Sequence, residues 1–290
     1  ALNAIREALG DVRVKTGHRL ALEERAKKIC QLKRNSSLKK YLTEIKCTEL
    51  REPNVETISA KRLELQPVFV LREVNTDGSN DNEVLNYCGV EEMALRYYRK
   101  QGYNEGIHGE GLTFTMLFTL LMWDVIFCDS VPDVFRTPFQ ASPLDIYSEN
   151  FYANRKKLID ERLNEIENAS VEKLTEWIEA KWKEQEGKTC VGIKWELFSG
   201  VRQITGLARC LGSKVIAGIC EKFAKDYRHT RSGLPDLVVW NCTDLKYKIV
   251  EVKGPNDKLS TKQQVWLDVL VRLGADTEVL YVKAIGGRNL

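Results

Sequence analysis

From Ala1 to about Leu50, apolar residues recur at helical spacing among Arg, Lys and Glu, with Leu20, Leu22, Ala26 and Ile29 marking the pattern. Two helices are predicted, over "GHRLALEERAKKI" and "SSLKKYLTEIKCTEL". They fit the tail of a helical repeat array, although no complete repeat is present. The chain opens inside this pattern and without Met, so it is expected to be a piece of a longer protein. Between Val55 and Val74 the texture changes: "VETISAKRLELQPVFVLREV" alternates apolar and polar residues and predicts strands. Residues 75–83, "NTDGSNDNE", predict a polar loop.

Helical spacing resumes in "VEEMALRYYRKQG". "GIHGEG" is expected to be a glycine-punctuated turn leading into "LTFTMLFTLLMWDVIFC", Leu112 to Cys128. That apolar run is slightly short for a membrane span and contains Asp124 and several Thr, so it predicts a buried core helix and no membrane partner. A proline-bearing connection, "VPDVFRTPFQASPLDIY", leads to two amphipathic helices. Ser170 is the N-cap candidate of the second. The last hundred residues run helix, strand, turn, strand, helix, strand, with Gly274 ending the final helix. This order predicts an α/β fold, a mixed sheet with flanking helices.

Composition adds little. The 290 residues suffice for one large domain or two ordinary ones, and a net charge of +3 is too small to identify a nucleic-acid partner. The beginning is locally basic ("RVKTGHR", "RAKK", "LKRNSSLKK"), a pattern that fits solvated helix faces as well as phosphate contacts. None of the eight cysteines forms a CxxC or a zinc-spaced cluster, which points to reduced, mostly buried thiols of an intracellular protein. The NxS/T matches at Asn35, Asn168 and Asn241 are read as coincidental.

Candidate chemistry gathers near the end of the chain. In "YKIVEVKGP" side chains alternate, so Glu251 and Lys253 share one face and Val252 points into the opposite layer. Asp236, after Pro235, opens the preceding strand fifteen residues earlier. That separation suits an antiparallel pair that brings Asp236 and Glu251 together at one edge. Two close carboxylates repel unless a cation lies between them, and oxygen ligands suit a hard ion, Mg²⁺ or Mn²⁺. A neighbouring lysine can stabilise developing negative charge, so the set suits phosphodiester hydrolysis. A surface salt bridge at a strand end is the plainer reading of ExK by itself.

"PD", "EVK" and "KQQVWL" together resemble the PD-(D/E)xK nuclease superfamily in its VRR-NUC branch. "GIHGEG", "LLMWDVIF", "VPDVF", "KWKEQEG" and "RSGLPDLVVWN…IVEVKGPNDKLSTKQQVWL" extend the likeness to nearly all of the chain, and it is similar to the C-terminal part of the Fanconi anaemia-associated nucleases of vertebrates. "HRLAL" resembles the end of their helical repeat region. The resemblance implies a restriction-endonuclease-like core: residues 1–50 would end a TPR-like domain, and 51–290 would form the nuclease domain with a helical insertion around 84–187. It implies a nuclear, metal-dependent enzyme that cuts branched DNA near a 5′ flap and trims 5′ to 3′ in interstrand-crosslink repair. It also implies recruitment to ubiquitinated Fanconi pathway proteins through a region outside this sequence. A junction-binding module without catalysis is the alternative, distinguished by flap binding without cutting.

By the same resemblance Asp236, Glu251 and Lys253 match the PD and ExK positions, Glu110 of "HGEG" the further metal-binding carboxylate, and the Val252 carbonyl the usual additional ligand. Glu110 is expected at the start of the apolar helix, sharing a face with Phe114, Leu117 and Leu121; physics alone would make it a helix-dipole carboxylate. The family's 5′-phosphate pocket makes His18 and Arg19 candidates, and Arg228 and Arg231 precede the PD strand. Gln263 either completes an S-x-x-Q capping box from Ser260 or supports the site. Trp266 is expected in the core, Asp133 in a turn, and His108 and His229 are too isolated to be ligands.

Overall fold

The computed structural model describes residues 1–32, 40–41, 48–61, 69–74 and 83–285, with side chains omitted over 70–74 and 83–86. Most of the expected helix over 36–50 and all of the polar loop but Glu83 lie outside these residues, as do Asn35 and Cys47. In chain order the elements are α1 (Leu2–Gly10), α2 (Thr16–Gln31), β1 (Asn54–Lys61), β2 (Phe69–Val74), β3 (Glu83–Cys88), α3 (Val90–Lys100), β4 (Glu105–His108) and α4 (Leu112–Leu121). There follow α5 (Trp123–Ile126), α6 (Asn150–Asn168), α7 (Val171–Gln185), α8 (Val201–Leu211), α9 (Ser213–Lys225) and α10 (Tyr227–Thr230). The last four are β5 (Leu237–Asn241), β6 (Lys246–Lys253), α11 (Thr261–Arg272) and β7 (Thr277–Ile285).

The main sheet has the order β1-β7-β6-β5-β4, and β2 and β3 form a separate antiparallel ribbon. β1, β7 and β6 run parallel, whereas β5 pairs antiparallel with both β6 and β4. The sheet is therefore mixed, as the element order predicts. Both faces of its centre are covered, which accounts for the apolar runs in β5 and β6. Leu237, Val239, Val250 and Val252 pack toward Ala94, Leu95 and Tyr98 of α3. Val238, Trp240 and Ile249 face the larger layer containing Phe114 and Leu117 of α4, Ile216 and Phe223 of α9, and Trp266 of α11.

The apolar run from Leu112 breaks into α4 and α5 at Met122, and every residue from Thr113 to Leu121 is buried. Among the described residues no helix is long and apolar enough to cross a membrane. Ser170 caps α7 by accepting from the Lys173 N–H at 3.2 Å. Trp266 is buried, and its indole N–H donates to the Thr230 carbonyl at 2.8 Å. α2 lies against α11, and just before β1 Thr48 is tied to Glu23 and the Arg51 N–H to Asp268.

"GIHGEG" departs from the expected turn. Its first half is β4, the edge strand paired with β5, and only Gly109–Gly111 turn. Glu110 (φ 45°) and Gly111 (φ 88°) are consecutive left-handed residues there. A Cβ on Gly111 would lie 2.8 Å from Leu234, so glycine meets both a conformational and a packing requirement.

Candidate active site

The β5–β6 register pairs Leu237 with Val250, which sets Asp236 opposite Glu251. Asp236 Oδ2 accepts the Val252 N–H at 2.9 Å. In a strand the N–H and C=O of one residue project toward the same edge, so the Val252 carbonyl also faces Asp236. Lys253 Nζ lies 2.7 Å from Glu251 Oε1, and Gln263 Nε2 donates to the same oxygen. Glu251 is 0% exposed and Lys253 is buried with it. Glu251 Oε2 has no hydrogen-bond partner among the described residues.

This electrostatic arrangement is costly without a cation. Burial, and then the Asp236 charge, push the Glu251 carboxyl up to about 7 against the pull of Lys253. Burial also raises Asp236, despite the Val252 N–H and Lys253. An orphaned carboxylate oxygen, a second carboxylate and a strand-edge carbonyl fit a hard divalent ion, which would neutralise the pair and fill the vacant acceptor.

Glu110 does not join them. It stands in the turn before α4, not on the helix, because two left-handed residues delay helix initiation to Leu112. Its expected shared face with Phe114, Leu117 and Leu121 is therefore not formed. Its side chain is 77% exposed and lies 3.6 Å from His108 Nε2. Only its backbone approaches the site: the Gly109 and Glu110 N–H groups donate to the Asp236 carbonyl at 3.1 and 3.4 Å. Among the described residues no group of three or more His, Cys, Asp or Glu is placed to hold a metal.

Gln263 makes contacts in both directions. Its Oε1 accepts the Ser260 N–H at 2.9 Å and its own N–H donates to Ser260 Oγ at 3.3 Å, completing the capping box. The opposite end of the same amide donates to Glu251. Asp133 occupies a loop, with φ 61°.

His18 lines a cavity of about 170 Å³ where the N-termini of α2 and α11 converge. Lys15, Lys222, His229, Ser232 and Lys262 line it too. The His18 and His229 rings are 6.5 Å apart, and Asp226 accepts from His229 at 2.8 Å. Burial works to raise Asp226, but His229 and Lys15 outweigh it and hold the carboxyl below its ordinary range. Arg19 is directed elsewhere, its guanidinium donating to the Leu9 and Asp11 carbonyls at 2.6 and 3.4 Å. Arg228 is exposed, and Arg231 lies over the Tyr147 ring at 5.5 Å; neither lines the cavity. The three lysines were not candidates in the sequence because each lies in a different segment. Their local signal is slight: Lys15 stands at the start of α2 and Lys262 in the first turn of α11.

Residues 169–284 match the VRR-NUC domain family. The chain carries a VRR-NUC domain. This domain contains Asp236, Glu251, Lys253 and Gln263 and leaves Glu110 outside it. The whole chain is 45% identical to Fanconi-associated nuclease 1 of Danio rerio, covering 30% of that protein. It is 42% identical to Fanconi-associated nuclease 1 of Homo sapiens, with 99% of this chain and 28% of that protein aligned. The chain thus spans about 30% of the length of these curated relatives. The crystal structure of paFAN1 bound to 2nt 5′ flap DNA with gap superimposes with a TM-score of 0.66 at 22% identity. That match covers 98% of this chain and 49% of the other, and it shows a shared fold around the VRR-NUC domain.

Proposed function

We propose that this protein is a metal-dependent, structure-specific DNA nuclease that hydrolyses phosphodiester bonds of branched DNA near a 5′ flap. The observation that carries this reading is the pairing of half-buried Asp236 with buried Glu251, which binds Lys253. The names of the relatives that align along this chain support it, as does the 5′ flap DNA in the paFAN1 structure. On the same basis we assign 5′-to-3′ trimming, interstrand-crosslink repair and a nuclear location. Recruitment to ubiquitinated Fanconi pathway proteins is assigned to a region outside this sequence.

Asp236, Glu251 and the Val252 carbonyl would hold Mg²⁺ or Mn²⁺, with Glu110 as a further ligand after its exposed side chain turns inward. When bound, such an ion acidifies water and neutralises charge on the phosphoryl group. Gln263 orients Glu251 by donating to Oε1, so that Oε2 stays available for the ion. Lys253 holds a positive charge beside the same carboxylate, where it stabilises negative charge developing on the phosphate. The cavity around His18, with three lysines and two helix N-termini, suits a 5′-terminal phosphate. Arg228 and Arg231 are left as exposed candidates for backbone phosphates.

The test is cleavage of 5′-flap DNA by the purified protein in Mg²⁺ or Mn²⁺. Chelation is expected to stop cutting. Asp236→Ala and Lys253→Ala are each expected to abolish it while flap binding persists. Full activity in either variant would remove the assigned site. Flap binding without cleavage across several metals would favour a junction-binding module instead.

A further inference from the structure

At the far end of the β5–β6 hairpin from the carboxylates, two cysteines meet. Cys210 ends the buried face of α8 and is almost fully enclosed, whereas Cys242 begins the hairpin turn and is exposed. Cys210 Sγ lies 3.7 Å from the Asn241 carbonyl, the peptide group that leads directly into Cys242. The Cys242 sulfur in turn sits over Gly206, one helical turn before Cys210 on the same face of α8. A Cβ at Gly206 would come within 2.9 Å of that sulfur, so glycine leaves the space it occupies. Burial and the adjoining Cys242 thiol push Cys210 up to about 12, which keeps it a protonated thiol at neutral pH.

A second feature points to the same place. The Trp240 indole N–H is buried without a partner among the described residues. Its nitrogen would be 3.7 Å from that same Cβ on Gly206, so it and the Cys242 sulfur border the same space. A buried donor left unpaired is costly, and one next to an accessible sulfur suits an oxygen attached to that sulfur.

We propose that Cys242 is an oxidation site for hydroperoxides and that Cys210 resolves it to an intramolecular disulfide. The Cys242 sulfur attacks the peroxide, the O–O bond breaks, and the products are Cys242 sulfenic acid and an alcohol or water. Cys210 sulfur then displaces the hydroxyl group, which leaves as water with the Cys210 proton. The peroxide is reduced by two electrons and the two thiols are oxidised by two. The resulting bond ties α8 to the hairpin turn. It closes a loop that contains α9, α10, the Arg228–Arg231 segment and Asp236. This proposal does not depend on the nuclease reading.

The test is peptide mapping of the unaltered chain after stoichiometric hydrogen peroxide, with alkylation of the remaining thiols. The expected result is a cross-linked peptide pair containing Cys210 and Cys242, reversed by dithiothreitol. The unfolding midpoint is expected to rise by several degrees on oxidation, as loop closure restricts the unfolded chain. Cys210→Ala should leave Cys242 as a sulfenic acid trapped by dimedone, and Cys242→Ser should leave Cys210 unmodified. If Cys242 is alkylated as fully after peroxide as before it, or if Cys210 pairs with another cysteine, the assignment is overturned.

Discussion

Asp236 accepts its hydrogen bond from the backbone of Val252, the residue between Glu251 and Lys253, at 2.9 Å. This one contact locks the PD turn to the ExK strand. It holds both carboxylates on one face while Val252 anchors the strand in the opposite core. The site is therefore rigid on its strand side and exposed to change on its Glu110 side.

Stability should depend on pH in the presence of a chelator. Burial and Asp236 raise Glu251 to about 7 from 4.5, so the folded chain binds a proton more tightly than the unfolded one. Its contribution is fully present below about 4.5 and is lost as pH rises through about 7; Asp236, also raised, acts in the same direction. The Glu251 shift corresponds to a contribution on the order of 3 kcal/mol. Thermal unfolding between pH 5 and 8 should show this decline, and Glu251→Gln should flatten it. A profile unchanged by that substitution would contradict the raised carboxyl. Mn²⁺ at pH 8 should recover stability in the unaltered chain and not in the variant.

The two roles of Gln263 can be separated. Gln263→Ala should cost about 1 kcal/mol through the broken capping box. Gln263→Glu keeps an acceptor for the Ser260 N–H but places a carboxylate against Glu251. It should retain most of the capping contribution and lower flap cutting at least tenfold. Denaturant unfolding and single-turnover cleavage, measured on the same samples, would show the split; equal loss in both would mean a purely structural residue.

His18 and Arg19 are neighbours in sequence with different expected phenotypes. Arg19→Ala should destabilise the α1–α2 corner by about 1 kcal/mol, since it removes the guanidinium donor from the Leu9 carbonyl and leaves Asp11 with the Val14 N–H. His18→Ala and Lys262→Ala should instead reduce the preference for a 5′-phosphate over a 5′-hydroxyl flap. Comparing the two substrates on each variant is the measurement. Loss of that preference in Arg19→Ala alone would place the pocket elsewhere.

Glu110→Gln should leave the unfolding midpoint unchanged, because the side chain is 77% exposed and makes no buried contact. Flap cleavage should nevertheless fall by two orders of magnitude or more, and Mn²⁺ binding by calorimetry should weaken. Unchanged cleavage would confine the ligand set to Asp236, Glu251 and Val252.

By itself the sequence determined the local parts. Alternation put Glu251 and Lys253 on one face, S-x-x-Q wrote the cap of α11, and the apolar run from Leu112 could only be buried. Each depends on residues a few positions apart, within reach of strand and helix periodicity. Three matters were decided only in three dimensions. The first half of "GIHGEG" became part of an edge strand by pairing with β5, although the four residues of β4 carry too little pattern to announce a strand. The phosphate-sized cavity drew on Lys15, Lys222 and Lys262, which only the convergence of α2, α9 and α11 brings together. Glu110 was held off the carboxylate pair by two left-handed residues, a backbone geometry that helical periodicity does not encode.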